Sequence, residues 1–194
     1  MPTPADRLAA LAAASIADAT GALVRGGSVG AWERAMQAAL ARAHTAAYIA
    51  ATAQRLGIAP DSPLISQSRL SRAERADISA QVAGQLKYLR AFAAQVKARG
   101  LSERAVLARA VSYAGSVKAP YYAARWGEWD IPTRLLPGTA QCMGNCLCHL
   151  SDVKDNGDGT GTLTRVLGAG AAERHCADCP GLAGDHEVRR RRAA

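Results

Sequence analysis

The 194-residue sequence predicts a mainly α fold, an elongated bundle of long helices followed by a small β-hairpin module. Three observations carry this expectation. Residues 1–134 contain no cysteine, are rich in alanine and repeat apolar residues at helical spacing. All five cysteines fall within the 38 residues 142–179. Between the cysteines, two stretches of strand character flank Asn156-Gly157, a dipeptide suited to the positive φ angles of a tight turn.

Taken in order, residues 5–23 form a first, shorter helix, in which Asp6 and Asp18 make a poor signal-peptide core. Gly26-Gly27 breaks it. Trp32, Met36, Leu40, Ala43, Ala47 and Ala51 then make a helical stripe ending at Leu56-Gly57. His44, mid-helix between Leu40 and Tyr48, reads as a packing or surface residue. After a linker at 58–68, Ser71-Arg72-Ala73-Glu74 is a capping box, in which serine and glutamate satisfy each other's backbone N–H groups. Ile78, Val82, Leu86, Leu89, Phe92, Ala93 and Val96 follow, closed by Gly100, a helix of about 27 residues and roughly 40 Å. Ser102 opens another long helix with Val106, Leu107, Ala110 and Tyr113 on its apolar side. No run of 18 apolar residues occurs, so no membrane span is expected. A passage at 127–138, containing Pro132 and Pro137, leads into the cysteines. The expected division is a helical domain 1–134, a cysteine-rich hairpin module 135–188 and a basic tail 189–194.

The module offers half a metal site twice, a C-x3-C-x-C cluster (Cys142, Cys146, Cys148) and a C-x2-C pair (Cys176, Cys179). Thiolates in fours suit tetrahedral Zn2+, two from each of two turns. Strands at 149–153 and 160–167 joined by a turn at 154–159 would bring Cys148 and Cys176 together, the arrangement of a zinc ribbon. A lone two-stranded hairpin is marginal in water, and structural zinc would staple it. An odd cysteine count and the lack of a credible signal peptide weigh against a disulfide framework, and no βαβ pattern supports a redox role for Cys176 and Cys179. His149 and His175 compete as ligands, with thiolates preferred. Asp155, Asn156 and Asp158 have the wrong spacing for a calcium loop and lack its closing glutamate.

Residues 1–140 carry 17 Lys+Arg against 9 Asp+Glu, whereas 141–194 carry 7 of each, so the helices hold the whole +8. Long alanine-rich helices have much surface for their core and often finish their burial on partners. The run Arg189, Arg190, Arg191 and Arg192 is a weak nucleic-acid signal without interleaved aromatics. Trp126 and Trp129, beside Glu128 and Asp130, read as a loop patch for docking a partner. No nucleophile elbow, phosphate-binding glycine loop or H-E-x-x-H occurs.

Trp32 and Met36 on a helix, the Gln85-Leu86-Lys87-Tyr88-Leu89-Arg90-Ala91-Phe92-Ala93 run, the Leu101-Ser102 helix start and Leu136-Pro137-Gly138 precede Cys142-Met143-Gly144-Asn145-Cys146-Leu147-Cys148. His175-Cys176-Ala177-Asp178-Cys179 and Leu182-Ala183-Gly184 close the series. In this order the chain resembles the head morphogenesis, or minor head (minor capsid), proteins of tailed bacteriophages and prophages. Leu147 stands where many members carry an aromatic or basic residue, and Cys142-Met143-Gly144 replaces a histidine before the asparagine. The resemblance implies a non-enzymatic component of the virion or procapsid, made in the bacterial host cytoplasm. It further implies contacts with portal and capsid proteins during head assembly, DNA as an accompanying partner, and neither a membrane nor a small-molecule substrate. The alternative is a cytoplasmic zinc-ribbon nucleic-acid-binding protein that sets its basic helices and Arg189 to Arg192 on phosphates.

Overall fold

The computed structural model describes residues 3–59, 62, 70–99, 102–137, 139, 148–167 and 178–191. Helix α1 (Pro4–Val24) starts where the Thr3 hydroxyl accepts the Asp6 N–H at 3.1 Å and the Asp6 carboxylate accepts the Thr3 N–H at 2.8 Å. Gly26, at φ 100°, turns the chain into α2 (Val29–Arg55), whose N-cap is Ser28. Helix α3 (Arg72–Arg99) opens on the expected capping box, with Ser71 N–H donating to Glu74 at 2.6 Å and Glu74 N–H to the Ser71 hydroxyl at 3.2 Å.

The long helix expected after Ser102 is broken. Helix α4 (Glu103–Ser112) passes into a 3-10 turn at Tyr113–Val117 and then into α5 (Lys118–Arg125). Pro120 has no N–H for the Ser116 carbonyl, and its ring crowds that carbonyl out of α geometry. Ser112 and Ser116 also donate their hydroxyls back to the Arg109 and Tyr113 carbonyls, at 2.6 and 2.7 Å.

Helix α2 is central, packing against α1, α3 and α5, while α1 also lies on α4. The expected stripes face this core: Trp32, Met36, Leu40, Ala47 and Ala51 are buried, with Ala43 half-buried at the edge. Trp32 meets Phe92 edge-on at 6.1 Å and donates its indole N–H to Thr20 at 3.2 Å. Among the described residues α1 alone is long and apolar enough to cross a membrane, with mean hydropathy 1.4 over an 18-residue window of which 33% is buried.

The hairpin proves to be part of a larger antiparallel sheet. Its strands are β1 (Trp129–Asp130), β2 (His149–Leu150), β3 (Lys154–Asp155), β4 (Thr160–Val166) and, after a short helix α6 (Asp178–Gly181), β5 (Gly184–Arg190), in the order β1-β5-β4-β2 with β3 also on β4. Lys154 and Asp155, expected in the turn, are paired, and the turn itself is held by Asp155 and Asp158 accepting the Gly157 and Thr160 N–H groups at 2.9 Å each. Gly161 lies under Trp129: a Cβ there would stand 2.9 Å from the indole and 2.7 Å from Val153, so only glycine lets the ring lie on the strand.

One apolar core runs through both regions, with Leu150, Leu163 and Val188 joining the helical residues. The boundary placed at 134 therefore divides the sequence and not the packing. Nor do residues 189–194 begin as a tail, because Arg189 and Arg190 pair with Asp130 and Trp129. The docking role given to Trp126 and Trp129 is also corrected. Both are buried, Trp126 stacked on Tyr122 at 5.1 Å and Trp129 covered by the Arg190 guanidinium at 5.0 Å. Their large apolar area is used at the joint between helices and sheet.

His44 is completely buried on α2, with Nε2 3.1 Å from the Ser116 hydroxyl. Because that hydroxyl's hydrogen goes to Tyr113, Nε2 must donate, leaving Nδ1 bare in an apolar setting. Burial pushes the His44 pKa down to about 4. Unfolded protein therefore binds more protons than folded protein below the ordinary histidine value. This contribution to stability is whole above about pH 6.5 and is lost as pH falls to about 4, for a total of about 3 kcal/mol. Urea unfolding between these pH values should show that loss, and the His44→Leu variant should lack most of it.

Candidate metal centre

Of the five cysteines, Cys142, Cys146 and Cys176 lie outside the described residues, as does His175. Cys148 is buried immediately before β2. Cys179 belongs to α6, just ahead of β5. Register relates these positions: His149 pairs with Val166, while Gly184 pairs with Arg165, the residue before Val166. The entry to β2, the exit of β4 and the entry to β5 thus share one end of the sheet. Cys148 immediately precedes the first of these entries and Cys179, in α6, lies five residues ahead of the last, 31 positions further along the sequence. Among the described residues no three His, Cys, Asp or Glu side chains form a metal-binding group.

Two buried cations, neither anticipated from the sequence, anchor this end. Lys118, 4% exposed, puts its ammonium 2.6 Å from Asp6 Oδ1 and 3.5 Å from the Cys148 carbonyl. Burial raises the Asp6 carboxyl, but hydrogen bonds from Lys118 and from the Thr3 side chain and backbone, with the Lys118 charge, hold it below its ordinary value. One turn further, Tyr122 meets the Leu150 backbone and the Thr3 side chain, and burial pushes its hydroxyl up to about 12. Arg165, 1% exposed, donates from Nη1 to the Arg134 and Leu135 carbonyls at 3.1 and 2.9 Å. It thereby fixes the backbone that leads toward Cys142.

Each cation had a faint signal. Lys118 is the one charged residue in the run 113–124, and Arg165 follows Gly161 and Leu163 at the inward positions of β4. The weak nucleic-acid candidates are placed differently: Arg190 reaches Asp155 at 2.5 Å as well as Trp129, Arg189 is an exposed strand residue, Arg191 donates its N–H to the Glu128 carbonyl at 2.8 Å, and Arg192 lies outside the described residues. His149 is half-buried on β2, and His186 sits 2.9 Å from the Leu182 carbonyl.

Compared with known proteins, no family model, no curated protein and no solved structure matches the chain.

The Lys118–Asp6 pair is asymmetric, its side chains being 5% and 35% exposed. Deprived of its partner, Asp6 can turn to water, whereas Lys118 cannot. Asp6→Asn should therefore cost about 2 kcal/mol in urea unfolding and Lys118→Met less than about 1 kcal/mol. The reverse order would refute this reading of the pair.

Proposed function

We propose that the protein is a non-enzymatic head-morphogenesis, or minor head, component of a tailed bacteriophage or prophage, holding one structural Zn2+ at its cysteines. The observation that supports the metal reading is the register, which sets the strand entered after Cys148 and the strand entered after Cys179 at one end of the sheet. Cys176 and Cys179 with two of Cys142, Cys146 and Cys148 form a donor set of the softness that zinc takes, and four thiolates would close the ion to substrates. Such a centre carries two net negative charges, and the buried guanidinium of Arg165 at the same end of the sheet offsets part of them. When bound, zinc supplies folding free energy and joins the two cysteine-bearing loops.

The assembly reading rests on the resemblance in sequence and on long helices with exposed faces suited to portal and capsid proteins, in a virion or procapsid. Among the described residues the one serine–histidine contact, Ser116 with His44, is sealed from substrate. The engagement of Arg190 by Trp129 and Asp155 weighs against a phosphate-binding arginine tail.

Protein purified without chelator should carry one equivalent of zinc with its thiols reduced. Less than about half an equivalent, with the thiols in disulfides, would sink the metal reading. Expressed beside the portal protein of its own genomic neighbourhood, the chain should co-purify with it after nuclease treatment. Binding that vanishes with the nuclease would favour the nucleic-acid alternative.

A further inference from the structure

Among the described residues helix α1 is the one helix long and apolar enough to cross a membrane, yet only 33% of its 18-residue window is buried. Its inner face, with Ala5, Ala12, Ile16 and Leu23, belongs to the core. Its outer face carries Arg7, Leu11, Ala14, Ser15 and Asp18, all exposed, and Leu11 is 70% exposed. At 100° per residue, Arg7, Leu11, Ala14 and Asp18 fall within a narrow stripe. Among the described residues neither Arg7 nor Asp18 takes part in an ion pair. Beside Leu11 the apolar surface continues into an open groove lined by Leu8, Ile49, Ala50, Ile58 and Tyr121.

We infer that this face binds a second copy of the chain, α1 against α1 in antiparallel orientation. The charges single out this occupant. Arg7 and Asp18 lie eleven residues, or about 16 Å, apart along the helix, one at each end of the stripe. A two-fold axis passing between Ala12 and Ala13 sets Arg7 against Asp18 of the other copy and Asp18 against its Arg7. The same alignment puts the bulky Leu11 opposite the small Ala14, twice. One register therefore satisfies both charges and both side-chain volumes, which is the self-complementarity a two-fold interface requires. A parallel pair would set arginine on arginine and aspartate on aspartate. The inference goes beyond the proposed assembly role and does not depend on the metal.

Light scattering of the full-length chain at micromolar concentration should give the mass of two chains. Leu11→Glu, at a position largely in water, should give the mass of one chain with an unchanged helical spectrum. Arg7→Asp and Asp18→Arg should each weaken the dimer roughly tenfold, and the double variant R7D/D18R should return to within about threefold of the original. A single-chain mass for the unaltered protein, a dimer indifferent to Leu11→Glu, or a double variant no tighter than either single one would overturn the proposal. So would a monomer that sediments with phosphatidylcholine–phosphatidylglycerol vesicles, because the face would then be a membrane surface.

Discussion

Taking the ammonium of Lys118 out of water costs several kcal/mol, and the oxygens that offset this cost belong to distant parts of the chain. Asp6 comes from the first turn of α1, where the Thr3 capping box fixes its carboxylate. The Cys148 carbonyl comes from the entry to the sheet. Since Lys118 itself begins α5, the start of the bundle, its last helix and the first strand after the cysteine cluster meet at one charge. Tyr122, also on α5, repeats the connection through the Leu150 backbone and the Thr3 side chain. A salt bridge that would add little at the surface here brings three segments together at one charge.

This joint changes what a metal would do. A free two-stranded hairpin would need zinc to fold at all. The sheet instead has β4 paired on both sides, Leu163 and Val188 in the common core, and Trp129 pressed on Gly161. Arg165 ties β4 to the carbonyls of Arg134 and Leu135, so the approach to the cysteines is fixed by hydrogen bonds. On this framework a metal would close two loops at the sheet's end, a smaller task than folding the module.

Helices α1, α2 and α3 were legible because cap and stripe agree: Ser71 with Glu74 at one end, and Ile78, Val82, Leu86 and Leu89 along one side. The break before α5 was missed because the apolar spacing continues through it, while Pro120 and the serine hydroxyls decide the local hydrogen bonds. Strand β5 was illegible for another reason. Val188 is its one buried apolar residue, so no period-2 pattern exists, and the segment is a strand because β4 offers it a ladder. The tryptophans were misread through their charged neighbours, Glu128 and Asp130, which are exposed while the indoles point inward. At the candidate metal site, the hairpin drawn from spacing set the entry to β2 beside the exit of β4, as the register does. The two buried cations left only a faint signal, since burial of Lys or Arg depends on oxygens supplied by other segments.

Bundle and sheet are thus one cooperative body joined at Lys118. Native-state hydrogen exchange read at Leu40 and Ala47 of α2 and at Leu163 and Arg165 of β4 tests this directly. All four amides should exchange through one opening with the same free energy, and Asp6→Asn should lower that energy equally at each. Opening of the β4 amides at a clearly lower free energy than those of α2, or a response to Asp6→Asn confined to α1, would contradict it.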